Sequence, residues 1–324
     1  MDALTSGAAI EASAAAAPRD RGARRTEPTF IVGDHRSGTT LLYQMLAATG
    51  AFNFVTAYHV IRRDELAGDV ARGQVRQMRA AVDDLLRRKG LVDRVIDGVK
   101  VSADLPEEYG FVIQEGPRPQ LSRDTLPRFR EFCRLVQACG NGQPLLLKNP
   151  WDSLQFMTLK TMVPDARLIF LHREPTAVVT SQLRAIRSLL ASRNDYVALL
   201  APWYAHLFQS PLRLAASRWL FSRAGLGVRI VERHVARVCD YFVRWSGAIP
   251  EDDRLDLRYE DLCADPAGTI ATALVFAGAP TEAARGLAGL IEGRASASLP
   301  EVDKRKASFG RRVRPYCAHV GYAA

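Results

Sequence analysis

The sequence predicts an α/β fold: a parallel sheet with helices on both faces and a mostly helical insertion around residues 184–250. Three observations carry this. Strand-like runs at 28–33, 144–150, 167–175 and 255–262 alternate with segments of helical periodicity. Strands that alternate with helices in this way pair in parallel, and the crossovers cover both faces of the sheet. The stretch 184–245 holds no convincing strand yet is rich in aromatic side chains, among them Trp203, Tyr204, Phe208, Trp219, Phe221, Tyr241, Phe242 and Trp245. Finally, 324 residues with 48% hydrophobic and 24% charged content make an ordinary globular balance, which excludes a wholly disordered chain.

Residues 1–27, with an Ala-rich stretch and balanced charge, are expected to form a disordered tail; residues 28–324 are expected to form one domain. Asp2 and Glu11 interrupt the pattern a signal peptide needs. The run Pro28–Gly33 is a short buried strand closed by glycine. Leu41, Leu42, Met45 and Leu46 then follow helical spacing, and Gly50 sits where such a helix would be capped. Residues 64–89 and 125–139 are charged amphipathic helices. Leu145–Lys148 lies in an apolar run ending at Pro150, and 151–162 is helical. RLIFLHREP (167–175) is a further strand, and Pro175 opens a helix to about Leu190. LDLRYEDL (255–262) is the last strong strand, followed by a helix over about 265–277. The aromatics of 184–245 are expected in the core, with cover beside a site as the second reading.

No run of about 18 apolar residues is present, so no transmembrane segment is expected. Five scattered cysteines without a C-x-x-C pair argue against a disulfide framework or a structural zinc site, and point to a reducing, cytoplasmic compartment. The formal charge is +9, from 38 Arg and 6 Lys against 35 acids. From Lys304 onward there are six basic residues and no acid. Such a cluster fits an anionic partner, or else a solvated basic tail.

The string Gly33-Asp-His-Arg-Ser-Gly-Thr-Thr40 lies between a strand and a helix. Backbone N–H groups in such a turn, together with a helix N-terminus, form an anion site. Its G-x-x-x-x-G spacing is that of a nucleotide phosphate loop, so the sheet is P-loop-like. However, Thr39 stands where the lysine of a nucleoside triphosphatase belongs. Arg36, three residues earlier, is the one Lys or Arg in the loop. This suits a phosphate-type group of lower charge than a triphosphate, without an obligatory metal. Arg173 follows the strand RLIFLH, and Ser181 lies eight residues further on the next helix. An arginine at a strand's carboxyl end and a serine on the following helix can converge on one phosphate.

FIVGDHRSGTTLL, LLLKNP, RLIFLHREPTAVVTSQL and LRYEDLCADP, in this order over residues 28–280, resemble the sulfotransferases that use 3′-phosphoadenosine 5′-phosphosulfate. The likeness is to the bacterial and tyrosylprotein branches, whose loop reads R-S-G-T-T. The resemblance implies that Arg36, Ser37, Gly38, Thr39 and Thr40 bind the 5′-phosphosulfate, that Arg173 and Ser181 bind the 3′-phosphate, and that no metal takes part. It places Lys148, in the family's L-K-x-P segment, near the transferring sulfuryl group. Tyr259 resembles a residue near the nucleotide. Lys306 and Arg311, in KRKASFGRR, loosely resemble the basic segment that closes over the 3′-phosphate.

Sulfuryl transfer to an alcohol needs a general base. Tyrosylprotein-type members place a glutamate 21 residues after the loop arginine, where this chain has Ala57. His59, two residues on, is the expected catalytic base, with Glu65, Glu107 and Glu108 as alternatives. His35 is expected to position rather than abstract, and His172 to sit in the core or at the ligand edge. The resemblance therefore implies in-line transfer to a small-molecule or lipid hydroxyl acceptor. The aromatic region 184–245 points to an apolar or natural-product acceptor, and no nucleic-acid partner is expected. The rival readings are a P-loop small-molecule kinase and a non-catalytic nucleotide- or polyanion-binding protein.

Overall fold

The computed structural model describes residues 28–94, 99–114, 119–284 and 297–322. The expected N-terminal tail, residues 1–27, lies outside the described residues. The chain runs β1 (Thr29–Val32), α1 (Thr39–Ala48), β2 (Asn53–Phe54), α2 (Ala57–Ile61), α3 (Leu66–Ala71), α4 (Val75–Arg88), α5 (Gly110–Ile113) and α6 (Leu126–Ala138). It continues through β3 (Leu145–Lys148), α7 (Phe156–Met162), β4 (Arg167–His172), α8 (Pro175–Ala191), α9 (Asp195–Leu200), α10 (Pro202–Phe208), α11 (Pro211–Leu220) and α12 (Gly227–Trp245). It ends with β5 (Arg254–Arg258), α13 (Tyr259–Ala264), α14 (Pro266–Ala277), α15 (Pro300–Asp303) and α16 (Lys306–Val320).

The five strands form one parallel sheet in the order β2-β3-β1-β4-β5. The period-2 alternation of strand side chains divides the core. Phe30, Val32, Leu147, Leu168 and Phe170 face one layer, with α6, α8 and α12. Ile31, Leu146, Ile169, Leu171 and Leu257 face the other, with Leu42, Met45 and Leu46 of α1 and Ile270 and Leu274 of α14. Full burial of one such side chain contributes about 1.5–3 kcal/mol. The helix after β1 covers one face, and the helix after β4 covers the other. The carboxyl ends of these two adjacent strands therefore open a crevice, the place where open α/β sheets bind ligands.

Several boundaries differ from the sequence expectation. The helix expected over 64–89 is two, α3 and α4, because Gly73 adopts φ +64° and turns the chain between them. Residues 150–154 form a 3₁₀ turn ahead of α7. The strand expected to reach Leu262 stops at Arg258, where the ladder with β4 ends at the His172–Arg258 pair, and Tyr259 opens a helix. The basic segment from Lys304 is not a tail: α16 buries Phe309, Val313, Tyr316 and Cys317, and packs on α12. Gly50 takes φ +69° just after the Thr49 cap of α1, as its position suggested. The insertion is helical as expected, but Trp203, Trp219 and Trp245 are exposed rather than core. All five cysteines are free thiols. Among the described residues, no helix is long and apolar enough to cross a membrane.

Tyr43 ties α1 to the sheet. Its buried hydroxyl accepts the Val55 N–H at 3.1 Å and reaches the Leu146 carbonyl at 3.3 Å. Tyr43→Phe strands the Val55 N–H, and chemical denaturation is expected to show a loss of about 1–3 kcal/mol. An unchanged midpoint would mean that this link carries no stability.

Candidate active site

The β1–α1 loop is built for close approach. A Cβ on Gly33 would meet Thr39 Cγ2, Ser37 Oγ and the Leu171 carbonyl at 2.7–2.9 Å. Gly38 has φ +98°, and a Cβ there would run into the Tyr259 ring. Arg36 is left-handed at φ +68°, a conformation that costs a non-glycine residue free energy and persists only when its surroundings fix it. Ser37 closes the turn, donating from N (3.1 Å) and Oγ (2.7 Å) to the Asp34 carbonyl. No side chain caps α1, and its first turn holds no acid. Its leading N–H groups and the positive end of its dipole therefore face the loop.

Asp34 fixes this geometry. Its buried carboxylate accepts the His35 N–H at 2.8 Å, Gln182 Nε2 of α8 at 2.8 Å, and His234 Nε2 of α12 at 2.9 Å. Gln182 also donates to the His35 carbonyl at 2.9 Å. The hydrogen bond to Asp34 outweighs partial burial and raises the His234 pKa above 6.5. Sequence reading missed Asp34, Gln182 and His234. Asp34 and Gln182 adjoin motif residues, but nothing in the sequence marks His234, which lies 200 positions away.

On one side of the loop, four expected donor-binding residues come together with Tyr259. Arg36 Nε donates to Ser181 Oγ at 3.3 Å. Arg173 Nη1 donates to the Arg36 carbonyl at 2.9 Å, and its guanidinium lies 4.3 Å over the Tyr259 ring. That ring in turn packs on Gly38.

On the other side, Lys148 is almost fully buried at 1% exposure. Its Nζ lies 2.6 Å from Glu108 Oε1 and donates to Thr40 Oγ1 at 2.9 Å. Burial pushes the Glu108 carboxyl up, but Lys148 and then Arg94 overcome it and hold the pKa at about 2. Burial dominates at Glu107, which is raised to about 7; its Oε1 accepts the Tyr196 hydroxyl at 2.7 Å. His35, edge-on to Trp151, feels both Asp34 and Glu108, yet burial holds its pKa below the usual 6.5.

His59 is placed differently from the expectation. It lies at the third position of α2, where Nδ1 accepts the Thr56 N–H at 3.0 Å and completes a capping box. It is 1% exposed beside Phe132, and burial, helped by Arg79, lowers its pKa to about 3. Nothing among the described contacts joins it to the loop; it is a core-facing cap. Glu65 is exposed ahead of α3, and Lys306 and Arg311 are exposed on α16. Among the described residues, no hydrogen bond or ion pair brings Lys306 or Arg311 to the loop. His172 is a core residue at the sheet edge, between the Tyr316 hydroxyl (2.8 Å) and Asp256 (3.0 Å).

Residues 28–283 match the model of the Sulfotransferase family, and the chain belongs to that family. It is 24% identical over 271 residues to omega-hydroxy-beta-dihydromenaquinone-9 sulfotransferase Stf3 of Mycobacterium bovis and of Mycobacterium tuberculosis, covering 75% of this chain. The matched region spans 60% of those relatives' length. Among solved structures, the chain superposes on sulfotransferase STF9 from Mycobacterium avium with TM-score 0.62 and 16% identity, covering 92% of this chain and 78% of that one. For STF1 from Mycobacterium tuberculosis H37Rv the TM-score is 0.53 at 18% identity, with 89% and 76% covered. These superpositions show the shared fold.

The His234–Asp34 contact predicts a pH dependence. The folded pKa of His234 lies above its unfolded value of about 6.5, so the contact's stabilisation is complete below 6.5 and is lost as pH rises through the folded value. In thermal melts, the stability lost in His234→Ala is expected to be largest in mild acid and to shrink as pH rises above that window. A loss that does not vary with pH would contradict the charged contact.

Proposed function

We propose that this member of the sulfotransferase family moves the sulfuryl group of 3′-phosphoadenosine 5′-phosphosulfate to a hydroxyl acceptor. One observation carries the reading: a phosphate loop without its lysine, whose Arg36 bonds both Ser181 and Arg173. The donor supplies an activated sulfuryl group whose leaving group is a phosphate. Arg173 and Ser181 bind the 3′-phosphate, with Tyr259 beside the base, while Ser37, Gly38, Thr39 and Thr40 present donors to the 5′ side. Arg36, Lys148 and the α1 amides stabilise the charge that grows on the bridging and sulfuryl oxygens, ordinarily the largest catalytic term.

The geometry supports Glu108 rather than His59 as the base. Glu108 is ionised, buried and held 2.6 Å from Lys148 at the loop. Lys148 suppresses its basicity. As Lys148 turns to a sulfuryl oxygen, burial raises the Glu108 pKa toward that of a useful base. Glu108 then takes the acceptor's hydroxyl proton as the new S–O bond forms and the old one breaks. Trp151 and Phe111, packed edge-to-face beside His35, offer an apolar wall. This wall, with the likeness to a sulfotransferase whose name specifies a menaquinone derivative, supports a lipid or other apolar acceptor.

Transfer of radiolabelled sulfur from the donor to an apolar alcohol should proceed in excess EDTA. Arg36→Ala should slow it by about 10²–10³ without changing the melting temperature. Transfer abolished by EDTA and restored by Mg²⁺, or unchanged turnover in Arg36→Ala, would refute the assignment. Glu108→Gln should remove most of the turnover while binding of adenosine 3′,5′-bisphosphate persists. His59→Ala should instead cost stability, by about 0.5–2 kcal/mol for a lost cap, and leave turnover per folded molecule near wild type. The opposite pattern would return the base to His59.

A further inference from the structure

The insertion carries an apolar surface that the catalytic reading does not use. On α11, Leu212, Ala215, Ala216 and Trp219 stand at i, i+3, i+4 and i+7, the spacing that normally marks a core-facing stripe. Here every member faces solvent: Leu212 is 84% exposed and Trp219 66%. The helix cannot roll the stripe inward. Arg218 donates to the carbonyls of Leu190 (2.7 Å) and Ala191 (3.0 Å) at the end of α8, and Arg187 donates to the Phe221 carbonyl at 2.7 Å. Leu214 and Leu220 already occupy the inward side. Leu226 and Ile230, one turn apart at the start of α12, continue the exposed apolar residues.

The insertion's own charge here has one sign; the acid that comes near it is Glu301 of α15, which is paired with Arg187 at 2.6 Å and interacts with Arg223. Residues 196–231 contain no Asp or Glu. Arg213, Arg223 and Arg229 are exposed beside the apolar residues, and the next acid, Glu232, is buried and held by Arg305. A protein partner would match the apolar stripe, and a nucleic acid would match the guanidinium groups. An interface of tryptophan, leucine and arginine with no acid of its own fits both the acyl boundary and the headgroups of an anionic bilayer.

We propose that α11 and the first turn of α12 dock the enzyme on an anionic lipid surface. The inference rests on the exposed stripe and its charge, and holds whatever the donor or acceptor. Flotation of the full chain with vesicles of phosphatidylglycerol and phosphatidylcholine tests it. Binding is expected to the mixed vesicles, weaker to phosphatidylcholine alone and reduced by salt. The doubly substituted Leu212→Ser, Trp219→Ser chain should partition about tenfold less or weaker still, since both removed side chains are apolar contacts with the bilayer. Its melting temperature should match wild type, as both positions are exposed. Arg312→Ser with Arg314→Ser, on α16, should bind as wild type does.

Three results would overturn the proposal: no flotation; undiminished flotation of the doubly substituted chain; or loss of flotation in the α16 variant. Sedimentation showing a dimer that the Leu212→Ser, Trp219→Ser change splits would assign the stripe to a second copy instead.

Discussion

The carboxylate of Asp34 is the constraint on which the site depends. A buried carboxylate is tolerated only when its lone pairs are filled. Here they are filled from three elements: the loop itself, Gln182 on α8 and His234 on α12. Helices on the far side of the sheet from α1 thereby set the shape of the loop that opens α1. The left-handed Arg36 lies within the same loop, which Leu171 at Gly33 and the Tyr259 ring at Gly38 hold from its other sides. The helical insertion is thus part of the loop's architecture as well as cover.

The crevice between β1 and β4 divides into two chemical halves around that loop. One half gathers guanidinium groups and hydroxyls: Arg36, Arg173, Ser181 and the Tyr259 ring. The other holds two buried ion pairs, Lys148 with Glu108 and Arg94 with Glu107. The two neighbouring carboxyls are pushed in opposite directions: burial raises Glu107 against Arg94, while Lys148 and then Arg94 overcome burial and lower Glu108. The two halves are separated by the width of one loop, which suits the proposed reaction, in which donor and acceptor meet in line.

Much of this was legible in the sequence. Strands β1, β3 and β4 were visible because buried parallel strands are largely continuous apolar runs, β5 by its alternating Leu255 and Leu257, and the anion loop because glycine at positions 33 and 38 has a steric reason. Arg173 and Ser181 could be paired because strand-end and helix spacing place them together. The rest depended on contacts far apart in the chain. His234 meets Asp34 across 200 residues, and no local pattern marks it. His59 was drawn as a base from its distance to the loop along the chain, but the Thr56-x-x-His59 spacing is that of a capping box, and the fold uses it so. Glu108 was a minor alternative because its value depends on Lys148, which arrives from another strand. Lys306 and Arg311 were read from a loose resemblance of KRKASFGRR to the family's basic segment, and α16 turns them outward while its apolar face packs on α12.

We propose that Arg173 and Ser181 recognise a phosphate distinct from the one held by Arg36 and the loop. Calorimetric titration of adenosine 3′,5′-bisphosphate and of adenosine 5′-monophosphate into wild type and into an Arg173→Ala, Ser181→Ala chain tests it directly. Losing charge-assisted bonds of about 1.5–3 kcal/mol each should weaken the bisphosphate by roughly tenfold or more, while the monophosphate affinity stays near wild type. Equal losses for both nucleotides would contradict the claim.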